Sequence, residues 1–258
     1  MNKLFSLILA LFLVNSAVVS SLDSCSICVD FVGNSLNDLL NIILNSGVIG
    51  TCGDLCSAVP GGQIVDTVCD LLCDYVGVDE FIKLISDVDP DPIYICEKIS
   101  VCKTNDNAAA SLDLVQINPQ NGTVGGTFTL SIAYTVTNTI ATGQLAFNII
   151  DPTGNAFGDA VLLVQQSPEQ YTQQFQFQAT PSEQESFPNG LYTVQALVCE
   201  GSCGSPHPNT YTLANGTTTF TISGADSSSM SGAGSFSGSS QSTQTGAASG
   251  SGSGFALF

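Results

Sequence analysis

Eight cysteines fall between residues 25 and 102, spaced as Cys25-x2-Cys28, Cys52-x3-Cys56, Cys69-x3-Cys73 and Cys96-x5-Cys102. A segment this short and this rich in cysteine folds around covalent staples, because fewer than about 80 residues seldom gain more than about 3 to 5 kcal/mol from a core. Cysteines four apart on a helix share one face, so Cys52 and Cys56 can meet Cys73 and Cys69 of an antiparallel neighbour if the pairs are nested. That geometry pairs Cys52 with Cys73 and Cys56 with Cys69. The terminal groups then pair as Cys25 with Cys102 and Cys28 with Cys96, tying the last helix back onto the first. Eight cysteines admit about 105 pairings, so this connectivity is a geometric expectation and not a deduction. Cys199 and Cys203 flank Glu200-Gly201-Ser202 and are expected to close a local loop.

Disulfides imply an oxidising compartment, and the start of the chain agrees. Lys3 precedes an apolar run from Leu4 to Val14, with small residues near Val18 and Ser20, the layout of a cleavable secretory signal. Cleavage is expected after Ser20, giving a secreted, extracellular product. The sequons Asn121-Gly122-Thr123 and Asn215-Gly216-Thr217 make Asn121 and Asn215 glycosylation candidates on that route.

Composition divides the rest. Residues 21–106 are cysteine-rich and helical in period; residues 107–223 turn to Thr, Val, Gln, Phe and Tyr with Gly, Asn and Pro punctuation. Residues 224–258 are Ser, Gly, Thr and Gln without apolar periodicity, which predicts a disordered tail. Its end, Phe255-Ala256-Leu257-Phe258, is too short for a glycolipid-anchor signal.

In the first part, Cys25, Cys28, Val29, Val32, Leu36, Leu39, Leu40 and Ile43 recur at three- and four-residue steps, predicting one amphipathic helix that ends near Gly47 and Gly50. Ile64, Val65, Val68, Cys69, Leu72 and Val76 predict a second helix after the Pro60-Gly61-Gly62 turn. Two short helices should follow, one capped by Asp79, the other starting at Asp91-Pro92, a capping residue followed by proline at the first helical position. Ile27, Phe31, Ile42 and Leu44 flank the first stripe. They read as a wide core face, the default for apolar residues, or as a lipid or partner surface.

After Ala110 the period becomes two. Residues 127–134 and 171–178 alternate, and further strands are expected at 112–117, 144–150, 159–165, 190–199 and 211–222. Turn signals separate them, among them Asn121-Gly122 and Pro188-Asn189-Gly190. Seven such strands predict an antiparallel, immunoglobulin-like β-sandwich, with Tyr192 placed as a tyrosine-corner residue. The expected fold class is therefore α+β in two domains: an all-α disulfide-stapled bundle, then a β-sandwich, then the tail.

The charge balance excludes nucleic acid as a partner. The chain carries 22 Asp and Glu against 4 Lys and Arg, a formal net charge of −18. Fourteen of those carboxylates lie in residues 21–106. Polyanions and anionic lipid repel such a surface near neutral pH; acid would neutralise it and permit lipid contact. No catalytic set emerges. His207 sits between Pro206 and Pro208 without a paired nucleophile and reads as a surface residue. Cys25-x2-Cys28 lacks the βαβ context of a redox motif. The run Asp87-Val88-Asp89-Pro90-Asp91 lacks the glycine and terminal Glu of an EF-hand loop. Gly125-Gly126 has no phosphate-binding helix after it. No catalytic, cofactor or metal residue is expected, and the chain is read as non-enzymatic.

The opening C-x2-C and Ile95-Cys96-Glu97-Lys98-Ile99-Ser100-Val101-Cys102 resemble the saposin B-type domain, which implies a saposin-like helical module that binds lipids or permeabilises membranes. Four middle cysteines stand where that pattern has two, implying an extra staple that opposes opening. The whole layout, including Leu22-Asp23-Ser24-Cys25-Ser26-Ile27-Cys28 and the Ser/Gly-rich end, resembles the countin family of social amoebae. That resemblance implies a secreted component of a multi-protein counting factor complex that limits the size of multicellular groups through adhesion and motility. Other subunits of the complex and an unidentified cell-surface receptor would then be its partners.

Overall fold

The computed structural model describes residues 23–45, 49–86, 91–182 and 186–224. The expected signal and tail, and Asp87 to Pro90, lie outside the described residues.

Among the described residues five helices come first, then eight strands. Helix α1 (Ser24–Asn45) buries Cys25, Cys28, Phe31, Val32 and Leu39 along one stripe. Helix α2 (Cys52–Cys56) is capped by Thr51, whose side chain accepts the Asp54 N–H. Helix α3 (Gln63–Val76) turns Cys69, Leu72 and Cys73 inward. Helix α4 (Val78–Ile85) has Gly77 at its N-cap, so Asp79 falls in the first turn and does not cap. Helix α5 (Pro92–Lys98) opens on Asp91, which accepts the Ile93 and Tyr94 N–H groups. Phe31 is core, Ile27 and Ile42 are half-buried, and Leu44 is exposed.

Helices α2, α4 and α5 are shorter than the roughly 12 to 15 residues at which an isolated helix becomes even marginal, so packing and covalent links hold them. Disulfides join Cys25 to Cys102, Cys28 to Cys96, Cys52 to Cys73 and Cys56 to Cys69. The first two clamp α1 to the end of the helical segment; the others staple α2 along α3. A fifth, Cys199–Cys203, closes a tight loop.

Eight strands follow: β1 (Ala109–Asn118), β2 (Asn121–Thr123), β3 (Thr127–Asn138), β4 (Ile140–Ile150), β5 (Ala156–Gln166), β6 (Gln170–Gln178), β7 (Gly190–Glu200) and β8 (Tyr211–Ser223). They pair in the orders β1-β3-β6 and β2-β8-β7-β4-β5. The alternation of β3 and β6 sends Phe128, Leu130, Ile132 and Tyr134 inward with Tyr171, Phe175 and Phe177. These meet Phe147 of β4 and Tyr192, Val194 and Phe220 of β7 and β8 in one core rich in stacked and tilted rings. Strand β4 is buried along almost its whole length. Its inner face joins that core, Ala146 packs beside Cys199 and Cys203, and Thr142 touches the Cys25 sulfur at 3.5 Å.

The expected fold class is corrected in two respects. Strands take 42% of the described residues, so the molecule is mainly β, a curled sheet with one long N-terminal helix, and the helical part is not an all-α saposin-like bundle. The physical reason is tertiary. The short helices close their core partly on the sheet, with Val164 of β5 packed into the helical cluster, and three-residue periodicity cannot show what an apolar face will meet. Nor are the strands all antiparallel. Asn121-Gly122, expected as a turn, forms β2, which runs parallel to β8. A Cβ on Gly122 would collide with the Phe128 ring, so only glycine lets this edge lie over the core.

Candidate functional site

The helical part meets the sheet through polar groups rather than through a continuous apolar seam. Asp91, buried at the start of α5, accepts the Ser202 hydroxyl at 2.6 Å as well as the two amides it caps. Glu200, at the end of β7 and fully buried, accepts the Asn105 N–H at 2.7 Å, the Ala141 N–H at 3.0 Å and the Thr142 N–H at 3.4 Å. Asn105 also donates from its side chain to the Thr139 carbonyl at 2.6 Å. One carboxylate thus ties the exit of the helical part to the start of β4.

Glu97, on α5, faces the same region. Burial and then the nearby Glu200 carboxylate push its pKa up to about 8, with Asp91 adding to the push and Asn209 and Lys98 opposing it. Its Oε1 is buried without a hydrogen-bond partner. Burial also lifts Glu200 to about 7, against the pull of its three backbone donors. Buried carboxyls this close cannot all ionise cheaply, so the protonated form is favoured.

Above these acids opens a cleft of about 400 Å³ lined by Tyr94, Glu97, Lys98, Ser100, Cys102, Lys103, Thr104 and Asn209. His207 stacks on Tyr94, ring centroids 3.9 Å apart and planes within 4°, and Lys98 Nζ lies 5.0 Å from the Tyr94 ring centre. The expectation of a surface His207 is therefore corrected: it is half-buried and helps pin the 201–210 loop to α5. Lys98 and Lys103 both line this cleft, whereas Lys83 pairs with Glu80 at 3.6 Å on α4. The arrangement offers hydrogen-bond donors, an aromatic face and two cations to a polar guest. Among the described residues no group of three or more His, Cys, Asp or Glu is placed to hold a metal.

The ten cysteines are all paired, and none is free among the described residues. Asn121 and Asn215 are exposed, on β2 and β8. The glycine of the second sequon has a packing role too, since a Cβ on Gly216 would come within 2.6 Å of Leu112. Tyr192 donates its hydroxyl to the Pro188 carbonyl at 2.7 Å, the backbone bond of a tyrosine corner. The junction acids escaped the sequence reading because Glu200 meets its donors across 58 to 95 residues. The one local signal was an acid closing the apolar run Ala196-Leu197-Val198-Cys199.

Fold and cleft together define a disulfide-stapled helix-and-sheet protein whose two parts are locked by buried carboxyls. Residues 21–100 match the Countin N-terminal domain and residues 110–227 the Countin C-terminal domain. Countin-3 of Dictyostelium discoideum is 49% identical over 222 residues, covering 86% of this chain and all of the relative. Countin-2 of the same organism is 46% identical over 190 residues, 72% of this chain and 74% of the relative. A countin-like protein from that organism is 36% identical over 201 residues, 77% of this chain and 55% of its own length. The chain belongs to the countin family. Residues 21–100 take their family from that match.

Proposed function

We propose that this chain is a secreted, non-enzymatic signalling protein that works as a component of a counting factor complex and limits multicellular group size by altering adhesion and motility. Membership of the countin family is the observation that carries the reading. Two further features support it. The apolar run Leu4 to Val14 suits an export signal and the five disulfides suit an extracellular product. Several related chains in one organism suit a complex of countin subunits. Sequon use at Asn121 and Asn215 belongs to the same proposal.

Cells deprived of the chain should form abnormally large groups, and purified protein added back should shrink them. Unchanged group size in both arms defeats the reading. Liposomes loaded with dye should show no leakage with the protein in acid or at neutral pH, because a signal that works through protein contacts does not breach a bilayer; leakage would place its action at the lipid instead.

A further inference from the structure

Helix α3 has two apolar faces, and only one is used. Cys69, Leu72 and Cys73 point into the helical core. Beside that face Ile64, Val68, Leu71 and Tyr75 recur at intervals of four, three and four residues, which lays them in one line along three turns, with Val68 half-buried against the helical core and the other three in solvent. Ile64 is 81% exposed, Leu71 68% and Tyr75 67%, so three of the seven large exposed apolar residues among those described stand on this one line. Single apolar side chains on a surface are ordinary, whereas an aligned set marks a contact face. Between Gln63, Ile64, Thr67 and Val68 the surface is hollowed by about 320 Å³.

The charge beside the line selects the occupant. Asp74, exposed and three residues on from Leu71, borders the line; Asp66 and Asp70 are half-buried on the third side of the helix, and α3 carries no Lys or Arg. A second copy is disfavoured, because pairing would bring Asp74 and its counterpart to the rim of an interface between two chains that each carry a net charge of −18. An anionic lipid surface is disfavoured for the same reason. We propose that the outer face of α3 is a docking surface for an amphipathic helix of a different protein, one with an apolar stripe bordered by Lys or Arg. The inference rests on the protein-contact reading above and names where that contact is made. The apolar line supplies the buried area, and Asp74 with the chain's overall negative charge sets orientation and suppresses partners of like charge.

The test uses the full secreted chain and, as probe, a labelled synthetic helix of about 18 residues, five turns, with leucines at three- and four-residue spacing and lysines along one flank. Binding is read by fluorescence anisotropy against a control peptide with Glu in place of each Lys. The wild type should bind the lysine peptide, with salt weakening the complex. Leu71→Asp should weaken it at least about tenfold, as expected of an apolar anchor. Asp74→Lys and the Glu peptide should weaken it as well. Both substituted side chains are exposed, so the variants keep the fold, which far-UV circular dichroism checks. Binding within twofold of wild type for Leu71→Asp, or equal binding of the two peptides, overturns the proposal. So does a wild type that sediments as a dimer, or binds vesicles, in a manner that Leu71→Asp abolishes. The same proteins go into the group-size assay. If wild type shrinks groups and Leu71→Asp does so equally, the docking face fails and the function stands; if wild type has no effect while the peptide results hold, the function fails and the docking face stands.

Discussion

Replacing Glu200 by glutamine tests the junction directly, because Glu200 is fully buried and joins both parts of the chain. Lifting a carboxyl from its ordinary 4.5 up to about 7 is equivalent to about 3 kcal/mol in favour of its protonated form. In the unfolded chain the same group ionises near its ordinary value, so between about pH 4.5 and pH 7 the folded state holds more protons than the unfolded one. Stability then falls as pH rises through that window and levels off above it, by about 3 kcal/mol from this one group. Glu97 acts in the same direction up to about pH 8, with a smaller effect because it is partly solvated. Glutamine has no proton to lose. Its amide nitrogen would face one of the three backbone N–H groups that the carboxylate accepts, leaving a donor unpaired at a cost of about 1 to 3 kcal/mol at every pH. The assay is guanidinium unfolding with disulfides intact, followed by circular dichroism at about pH 5 and about pH 8 in high salt, which suppresses general charge repulsion. Wild type should lose stability between the two pH values, Glu200→Gln should change much less, and the gap between them should close by the higher pH. A gap that stays constant or widens as pH rises refutes the reasoning.

Removing the Cys56–Cys69 staple with a double alanine substitution should lower the denaturant midpoint, by at most the about 3 kcal/mol that the chain-entropy value gives an isolated loop of this length, since Cys52–Cys73 still encloses it, and an unchanged midpoint would show that packing and the outer bridge alone hold α2 on α3. Two tyrosines predict opposite signs for one chemical change. Tyr192→Phe deletes a 2.7 Å bond to Pro188 and should destabilise by about 1 kcal/mol; Tyr134→Phe removes a buried hydroxyl with no protein partner, whose burial also lifts its pKa to about 12, and should raise the unfolding midpoint.

Local chemistry was legible in the chain, whereas hydrogen bonds and ring stacks between distant residues were not. Asp91-Pro92 declares a helix start because cap and proline act within one turn, and Tyr192 declares its corner because its acceptor is four residues away. Phe128, Leu130, Ile132 and Tyr134 declare a half-buried strand by alternation alone. His207 does not declare its stack, since Tyr94 lies more than a hundred residues earlier. Asn121-Gly122 reads as a turn because glycine usually supplies one; here it supplies room for Phe128. Helical content was given too much weight for a related reason. A segment such as Pro92–Lys98 has helical chemistry, yet its surroundings are completed by Ser202 of the 201–210 loop and Glu200 of β7, and nothing within seven residues encodes that.

The staples also explain why α3 can leave large apolar side chains in water. Burying a side chain such as Leu or Ile contributes about 1.5 to 3 kcal/mol, so an unconstrained helix would roll to hide Ile64, Leu71 and Tyr75. Cys69 and Cys73 forbid it: they are bonded to Cys56 and Cys52 and have no measurable exposure. Rolling the helix by even one residue's rotation, roughly 100°, would pull both sulfurs out of the core. The bonds that secure the inner face therefore fix the outer face toward solvent, and Leu72, on the inner side, would lose its burial in the same motion. Exposure of the line thus follows from the covalent framework, and a partner that covers it recovers apolar area the fold itself is prevented from burying.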